Sequence, residues 1–316
     1  MPLPDFLVIG APKAGTTALH AALRHHPQLY LSPVKEPKHF LTDGPPPSRG
    51  GPGDAATYRE HVWRRADYEA LFDAAPPGTL RGECTPFYLY DLAAQRRIHA
   101  AIPHARLIAI LRDPVERAHS NWTHLWSAGL EPLGDVVRAC AEEERRIAAG
   151  WSHFWHYTRL GRYGEQLAHL FTLFPREQVL ILRYRDLVDR PADTLDRICA
   201  FLGVRTGVLT EVPRENVTAH PKASPRHALL SALRRRLPSA LAERVELRLQ
   251  RNGGARRPLT WEQRRTLIEY FADDILLLQR VTGEYFGDWL GPKERSGGLV
   301  GSRPPGRSQA RNGRPA

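Results

Sequence analysis

Phe6-Leu7-Val8-Ile9-Gly10-Ala11-Pro12-Lys13-Ala14-Gly15-Thr16-Thr17 is the stretch that decides the fold. Phe6 to Gly10 reads as a buried strand. From Thr16 to His26, Ala18, Leu19, Ala22 and Leu23 share one helical face, and Pro27 stops the helix. Between them lies a G-x-x-x-x-G loop, Gly10 to Gly15. Backbone N–H groups of such a loop, with the helix N-terminus behind them, make a nest for a phosphate. A Walker loop carries its lysine directly after the second glycine, and the next Ser/Thr holds Mg²⁺. Here Thr16 stands in the lysine's place, and Lys13 projects from inside the loop. No Walker-B acid follows either, because Leu111 leads into Arg112 before Asp113. The loop can cradle phosphate, but the NTPase equipment is incomplete.

The same grammar repeats downstream. Leu29-Tyr30-Leu31, Arg106 to Leu111 and Val179 to Leu182 read as strands, and Tyr163–Phe174 and Leu187–Leu202 as helices. Asp113-Pro114-Val115-Glu116 is a helix start with Asp as N-cap, Pro at N1 and Glu at N3. Strands that are apolar throughout and separated by helices imply a parallel sheet covered on both faces. The expected class is α/β: a three-layer, P-loop NTPase-like fold with a central parallel sheet flanked by helices. Ligands of such sheets bind beyond the strand C-termini, so functional residues are expected just after Ile9, Leu31 and Leu111. Residues 42–57, rich in Pro and Gly, read as a surface loop.

The chain has 316 residues and a net charge of +11, which raises a nucleic-acid or anionic-membrane partner. The charge is unevenly placed. Residues 291–316 carry +5 and residues 214–257 carry +8, so the remainder sums to −2. The first of these, rich in Gly, Pro, Arg and Ser, reads as a disordered basic tail. The second fits helices around 227–250, and solvation is the default explanation of its arginines. Residues 1–290 read as a single domain. Of 45 basic residues only five are lysines, and three of them, Lys13, Lys35 and Lys38, fall within residues 13–38. In an arginine-dominated chain, retained lysines suggest a need for a compact ammonium charge. Cys84, Cys140 and Cys199 are widely spaced and not near paired histidines, which argues against a disulfide framework or a metal site. No run approaches the ~18 apolar residues of a membrane span, and the N-terminus lacks a secretory signal pattern. A cytoplasmic location is expected.

Gly10-Ala11-Pro12-Lys13-Ala14-Gly15-Thr16-Thr17-Ala18-Leu19, then Pro27, then Val34-Lys35-Glu36-Pro37-Lys38-His39-Phe40, resembles the 5′-phosphosulfate-binding region of sulfotransferases. These use 3′-phosphoadenosine-5′-phosphosulfate (PAPS) and release adenosine 3′,5′-bisphosphate, with no metal. The likeness is to the bacterial branch related to heparan sulfate sulfotransferases, and runs over roughly residues 5–203. It implies that Pro12, Lys13, Ala14, Gly15, Thr16 and Thr17 hold the donor's 5′ end. Arg112-Asp113-Pro114-Val115-Glu116-Arg117-Ala118-His119-Ser120 matches the family's 3′-phosphate motif, with Arg112 and Ser120 eight residues apart as the motif requires. Arg112, at a strand's C-terminal end, can fork two phosphate oxygens.

The resemblance also implies the chemistry. A sulfonate acceptor needs its proton removed, and the departing phosphate needs a cation. Lys13 suits the second task. Glu36 matches the family's base, and Glu83, in Arg81-Gly82-Glu83-Cys84-Thr85-Pro86, matches a second motif, so Glu83 is the alternative base. Relatives often carry His two residues after the Glu36-like position; this chain has Lys38 there, with His39 displaced by one. Cys84 stands where a cofactor-side lysine is common. Whether Lys38 supplies that cation or His39 binds substrate stays open. Lys222, near Pro221, is a candidate in a loop closing over the donor. The expected partner is a small-molecule or glycan acceptor: a hydroxyl or amine of a carbohydrate, lipid or secondary metabolite. Trp122, Trp126, Trp151 and Trp155 offer either acceptor stacking or core packing. The rival readings are a P-loop nucleotide kinase or NTPase, disfavoured by Thr16, and a nucleic-acid binder, for which no signature appears.

Overall fold

The apolar runs become one parallel sheet. The computed structural model describes residues 2–213 and 258–291. Its strands are β1 (Phe6–Gly10), β2 (Leu29–Leu31), β3 (Leu80–Cys84), β4 (Arg106–Leu111) and β5 (Val179–Arg183), in the order β2-β3-β1-β4-β5. Every pairing is parallel. Helices cover both faces, so central residues such as Leu7, Val8, Leu107 and Ile108 expose nothing. Lys222, the helices read around 227–250 and the tail from 292 onward lie outside the described residues.

The helices are α1 (Thr16–Leu23), α2 (Asp54–Arg59), α3 (Arg65–Ala70), α4 (Leu92–Ala101), α5 (Pro114–Ser127), α6 (Val136–Ala141), α7 (Glu143–Ala148), α8 (Tyr163–Leu173), α9 (Tyr184–Asp189), α10 (Pro191–Leu202), α11 (Trp261–Glu269) and α12 (Ala272–Thr282). Three boundaries differ from the sequence reading. α1 stops at Leu23 rather than His26, because the His26 ring turns back and its Nδ1 accepts from Gln28 N at 3.2 Å. The helix read over Leu187–Leu202 is two, since Arg190 leaves the helical region before Pro191 opens α10. The loop at 42–57 ends in α2, whose buried Asp54 acts as a clasp, accepting from Gly51 N at 2.6 Å, from Ser152 N and Oγ at 2.7 Å each and from Trp155 Nε1 at 3.0 Å.

β3 was not read from the sequence. Leu80-Arg81-Gly82-Glu83-Cys84 has no apolar pattern, yet it lies between β1 and β2. Arg81 is satisfied by Asp5, with Nε and Nη2 each 3.0 Å from the carboxylate. Gly82 leaves room for Phe6, whose ring would lie 2.2 Å from a Cβ there. A strand can therefore be buried without being apolar, if each polar group is partnered.

After residue 258 the chain packs back on the sheet layers. Asp274 of α12 caps α8, accepting from Gly164 N at 2.8 Å and Glu165 N at 2.9 Å. Arg264 of α11 donates to Asp113 at 2.8 Å and to Trp289 O at 3.2 Å. Asp113 is itself the N-cap of α5, accepting from Val115 N and Glu116 N as its sequence position predicts.

Candidate active site

The loop after β1 turns on Lys13 and Gly15. Gly15 has φ 83°, and a Cβ there would meet the Tyr184 ring at 2.9 Å, so both conformation and space demand glycine. Thr16, at the start of α1, is buried. Among the described residues the non-glycine positions with positive φ are Lys13 (69°), Glu36 (59°) and Lys38 (60°). All three are residues that the sequence singled out. Backbone held in this sparsely populated region costs of order 1–3 kcal/mol per residue and gathers where function requires it.

Arg112 joins the two phosphate motifs. Its Nη1 donates to Lys13 O at 3.0 Å, its guanidinium lies 4.8 Å over the Tyr184 ring, and Glu116 lies 3.6 Å away. Tyr184 thus backs both Gly15 and Arg112, a role the sequence did not suggest. Ser120 sits half-buried on α5, two turns beyond Asp113. Arg117 is wholly buried; it holds Asn121 at 3.1 Å and the Tyr157 carbonyl, so its guanidinium serves the core.

Lys13 is depressed to about 8 by burial, with Arg112 and Arg117 adding repulsion and Glu36 opposing it. A partly buried lysine beside two arginines marks a place of unbalanced positive potential. An anion bound there restores the balance, which is the fit expected of a phosphate site.

Glu36 is partly exposed and paired with Lys35, and its N–H donates to Cys84 O at 3.1 Å. Glu83 is entirely buried. Its Oε1 accepts from Tyr68 at 3.0 Å and Tyr88 at 2.9 Å, and its Oε2 from Thr85 at 2.8 Å. Burial raises its carboxyl to about 7, against the pull of these hydroxyls. Thr85 Oγ1 in turn accepts from Lys38 N at 3.3 Å. Glu83 thereby holds the segment that carries Glu36 and Lys38.

The open residues are now placed. Lys38 is buried and its Nζ meets Glu60 at 2.9 Å. The His39 ring stacks on Tyr68 at 4.1 Å with Nδ1 3.0 Å from Val62 O, so it is taken up in packing. The Cys84 thiol is pushed up to about 12 by burial and bonds to Thr16 O, which makes it inert. Trp122, Trp126 and Trp155 are core residues; Trp151 is half-buried against Trp155.

Two histidines were missed. His20 on α1 is buried near Lys35 and Glu36, and its Nε2 has no hydrogen-bond partner. His124 on α5 feels the charge of Lys13 and packs edge-on against Phe154 at 5.4 Å. Burial lowers His20 to about 4, so its ring is neutral, and the exposed His124 is lowered in the same direction. Among the described residues no group of three or more His, Cys, Asp or Glu side chains is arranged to hold a metal ion. No described helix is long and apolar enough to cross a membrane.

Known proteins resemble this chain over the same region. The profile of the Sulfotransferase family matches residues 4–207. Heparan sulfate glucosamine 3-O-sulfotransferase 6 of Homo sapiens is 31% identical over 202 residues, covering 64% of this chain and 53% of that protein. Carbohydrate sulfotransferase 15 of Mus musculus is 28% identical over 268 residues, covering 71% of this chain and 47% of that protein. This chain thus spans about half the length of these relatives. The crystal structure of a sulfotransferase from Alicyclobacillus acidocaldarius superposes with a TM-score of 0.72 at 27% identity, over 92% of this chain and 99% of that one. The loop after β1, the Arg112 motif and the sheet order that brings them together all fall in this matched region, and the chain belongs to the sulfotransferase family.

Proposed function

We propose that this chain transfers a sulfonate group from PAPS to an acceptor hydroxyl or amine. The observation that carries the reading is convergence. Lys13, Arg112 and Glu36 come from the ends of three different strands and meet within electrostatic reach of Lys13. When bound, PAPS supplies a sulfonate already activated by a phosphate leaving group. The 5′ end is assigned to the backbone amides of Ala14, Gly15, Thr16 and Thr17, with Pro12 shaping the loop. The 3′-phosphate is assigned to Arg112 and Ser120. Lys222, outside the described residues, is kept as a candidate donor contact.

In this reading Lys13 meets the electron pair left on the departing phosphate oxygen as the old S–O bond breaks. One aimed cation of this kind is worth about 3–4 kcal/mol. Glu36 takes the acceptor's proton as the new bond to sulfur forms. Glu36 suits the base better than Glu83, because it is partly exposed whereas both Glu83 oxygens are committed to buried hydroxyls. Glu83 and Lys38 then position the Glu36 segment, and His39 supports it through Tyr68. Residues 1–290 act as one domain, with α11 and α12 bracing α5 and α8.

Thermal unfolding tests the donor site. Adenosine 3′,5′-bisphosphate at 100 times its Kd is expected to add about 2.7 kcal/mol, and ATP–Mg²⁺ much less. The reverse order would make the chain a nucleotide triphosphatase or kinase. Glu36→Gln is expected to keep bisphosphate affinity while losing about 10²–10⁴-fold in kcat, the share of a general base. Unchanged turnover would move the base elsewhere.

A further inference from the structure

We infer that Thr85 and Tyr88 are positioning residues for the proposed base, and that Glu83 aims both hydroxyls only as a carboxylate, so that transfer requires this buried group to have lost its proton. This rests on the sulfotransfer reading and deepens it.

The segment that carries Glu36 needs outside support. Glu36 and Lys38 both have positive φ, 59° and 60°. Backbone of that kind persists where its surroundings over-determine it. Three contacts run from the segment to β3 and the turn after it. Glu36 N donates to Cys84 O at 3.1 Å, Lys38 N to Thr85 Oγ1 at 3.3 Å, and Phe40 N to the Tyr88 hydroxyl at 3.3 Å. On the opposite side Val62 N donates to Pro37 O at 2.8 Å, and Lys38 Nζ meets Glu60 at 2.9 Å. Two of the three contacts toward β3 thus end on hydroxyls, and both hydroxyls point at Glu83.

A hydroxyl has one proton to donate and lone pairs to accept with. Thr85 directs its proton to Glu83 Oε2 at 2.8 Å, and Tyr88 to Oε1 at 2.9 Å. That turns their lone pairs toward the Lys38 and Phe40 amides. Tyr68 supplies a third proton, to Oε1 at 3.0 Å. Three donors converging on one carboxyl group suit the anion. The neutral acid brings a proton of its own. One hydroxyl must then turn, which leaves a buried proton unpaired or withdraws a lone pair from an amide.

The surroundings set the opposite demand. The Glu83 side chain exposes nothing. Burial pushes its carboxyl up, the hydroxyls of Thr85, Tyr88 and Tyr68 pull it down, and it comes to rest at about 7. The titratable groups that face it are Tyr68 from α3, Tyr88 from the turn after β3, Cys84 beside it on β3, and Glu36 from the loop after β2. Burial raises the two tyrosines and the cysteine, so all three stay protonated. The Glu36 charge opposes ionisation. Arg65, further along α3, is paired with Glu69. The proton on Glu83 therefore exchanges near neutral pH, and the aim of the two hydroxyls changes with it.

The test uses the full chain and needs no identified acceptor. Amide-exchange protection of Lys38 and Phe40 is followed by NMR from pH 6 to pH 9, corrected for intrinsic exchange. In parallel, kcat is measured for sulfonate transfer from labelled PAPS to water. Protection and kcat are both expected to be about tenfold higher at pH 8 than at pH 6, with a midpoint near 7. In Glu83→Gln, protection should be flat and kcat about tenfold or more below the native chain at pH 8, with bisphosphate affinity retained. Thr85→Val and Tyr88→Phe each remove one donor that favours the carboxylate, so each should raise the midpoint by about one pH unit. Thr85→Ser should bring it back. Protection that does not change with pH in the native chain would overturn the inference. So would a pH dependence that survives in Glu83→Gln, or a midpoint that neither hydroxyl variant moves. If neither bisphosphate binding nor PAPS turnover is found, the sulfotransfer reading fails, while amide protection, which needs no donor, still decides whether Glu83 governs the segment.

Discussion

In the proposed donor site, Lys13 would set a pH limit on affinity. Its ammonium, depressed to about 8, is the form that a phosphate favours, so binding raises its pKa and takes up a proton above that pH. Bisphosphate affinity, followed by calorimetry, is expected to be level from pH 7 to about 8 and then to fall by up to about tenfold per unit. Lys13→Met should bind more weakly at pH 7 and show no such fall. A fall of the same steepness in the variant would assign it to another group. At this scale the sequence was informative about chemistry and silent about placement. Lys13, Glu36 and Arg112 were legible because their motifs are contiguous. The packing of His39 on Tyr68 and the pairing of Lys38 with Glu60 were not, because their partners lie 29 and 22 residues away in the chain.

Among elements, β3 is the most instructive. β1, β4 and β5 were readable because parallel strands buried on both faces must be apolar. β3 escaped that rule by carrying Glu83 into the interior with three hydroxyl partners. That choice has a pH signature. With its folded value raised from 4.5 to about 7, Glu83 favours the native state below 4.5, and this contribution is lost as pH rises to 7. The loss is about 3 kcal/mol at full extent. Glu83→Gln keeps a neutral polar group there at every pH. The difference in denaturant midpoint between the native chain and the variant is therefore expected to shift toward the variant from pH 5 to pH 8. A difference that stays constant with pH would mean that Glu83 is ionised throughout. Cys84, its neighbour, contributes no comparable signal, since its thiol stays protonated.

Across the whole molecule, the stretch 258–291 is held to the rest of the described fold by core residues such as Leu267, Phe271, Leu278 and Phe286 and by buried polar ties. Arg264 is 7% exposed and Asp113 4% exposed, and they share an ion pair at 2.8 Å. Arg264→Met removes one ion-pair and hydrogen-bond donor from the buried Asp113, at a cost of up to about 3 kcal/mol in chemical unfolding. Because Asp113 directly follows Arg112, the same variant should also weaken bisphosphate binding. A stability loss with unchanged affinity would confine the tether to structure. The +11 charge follows the same logic of placement. Residues 214–257 and 291–316 together carry +13, more than the whole of it, and the groups proposed for the donor are few.

The Asp54 clasp has a consequence for descent. The segment around residues 51–54 and the segment around residues 152–155 share one carboxylate, although about a hundred residues separate them in the chain. Neither can drift in length or tilt without the other. Changes of length in this lineage should therefore arise as matched pairs in the two segments, and homologues that have lost the aspartate should show the two segments varying independently.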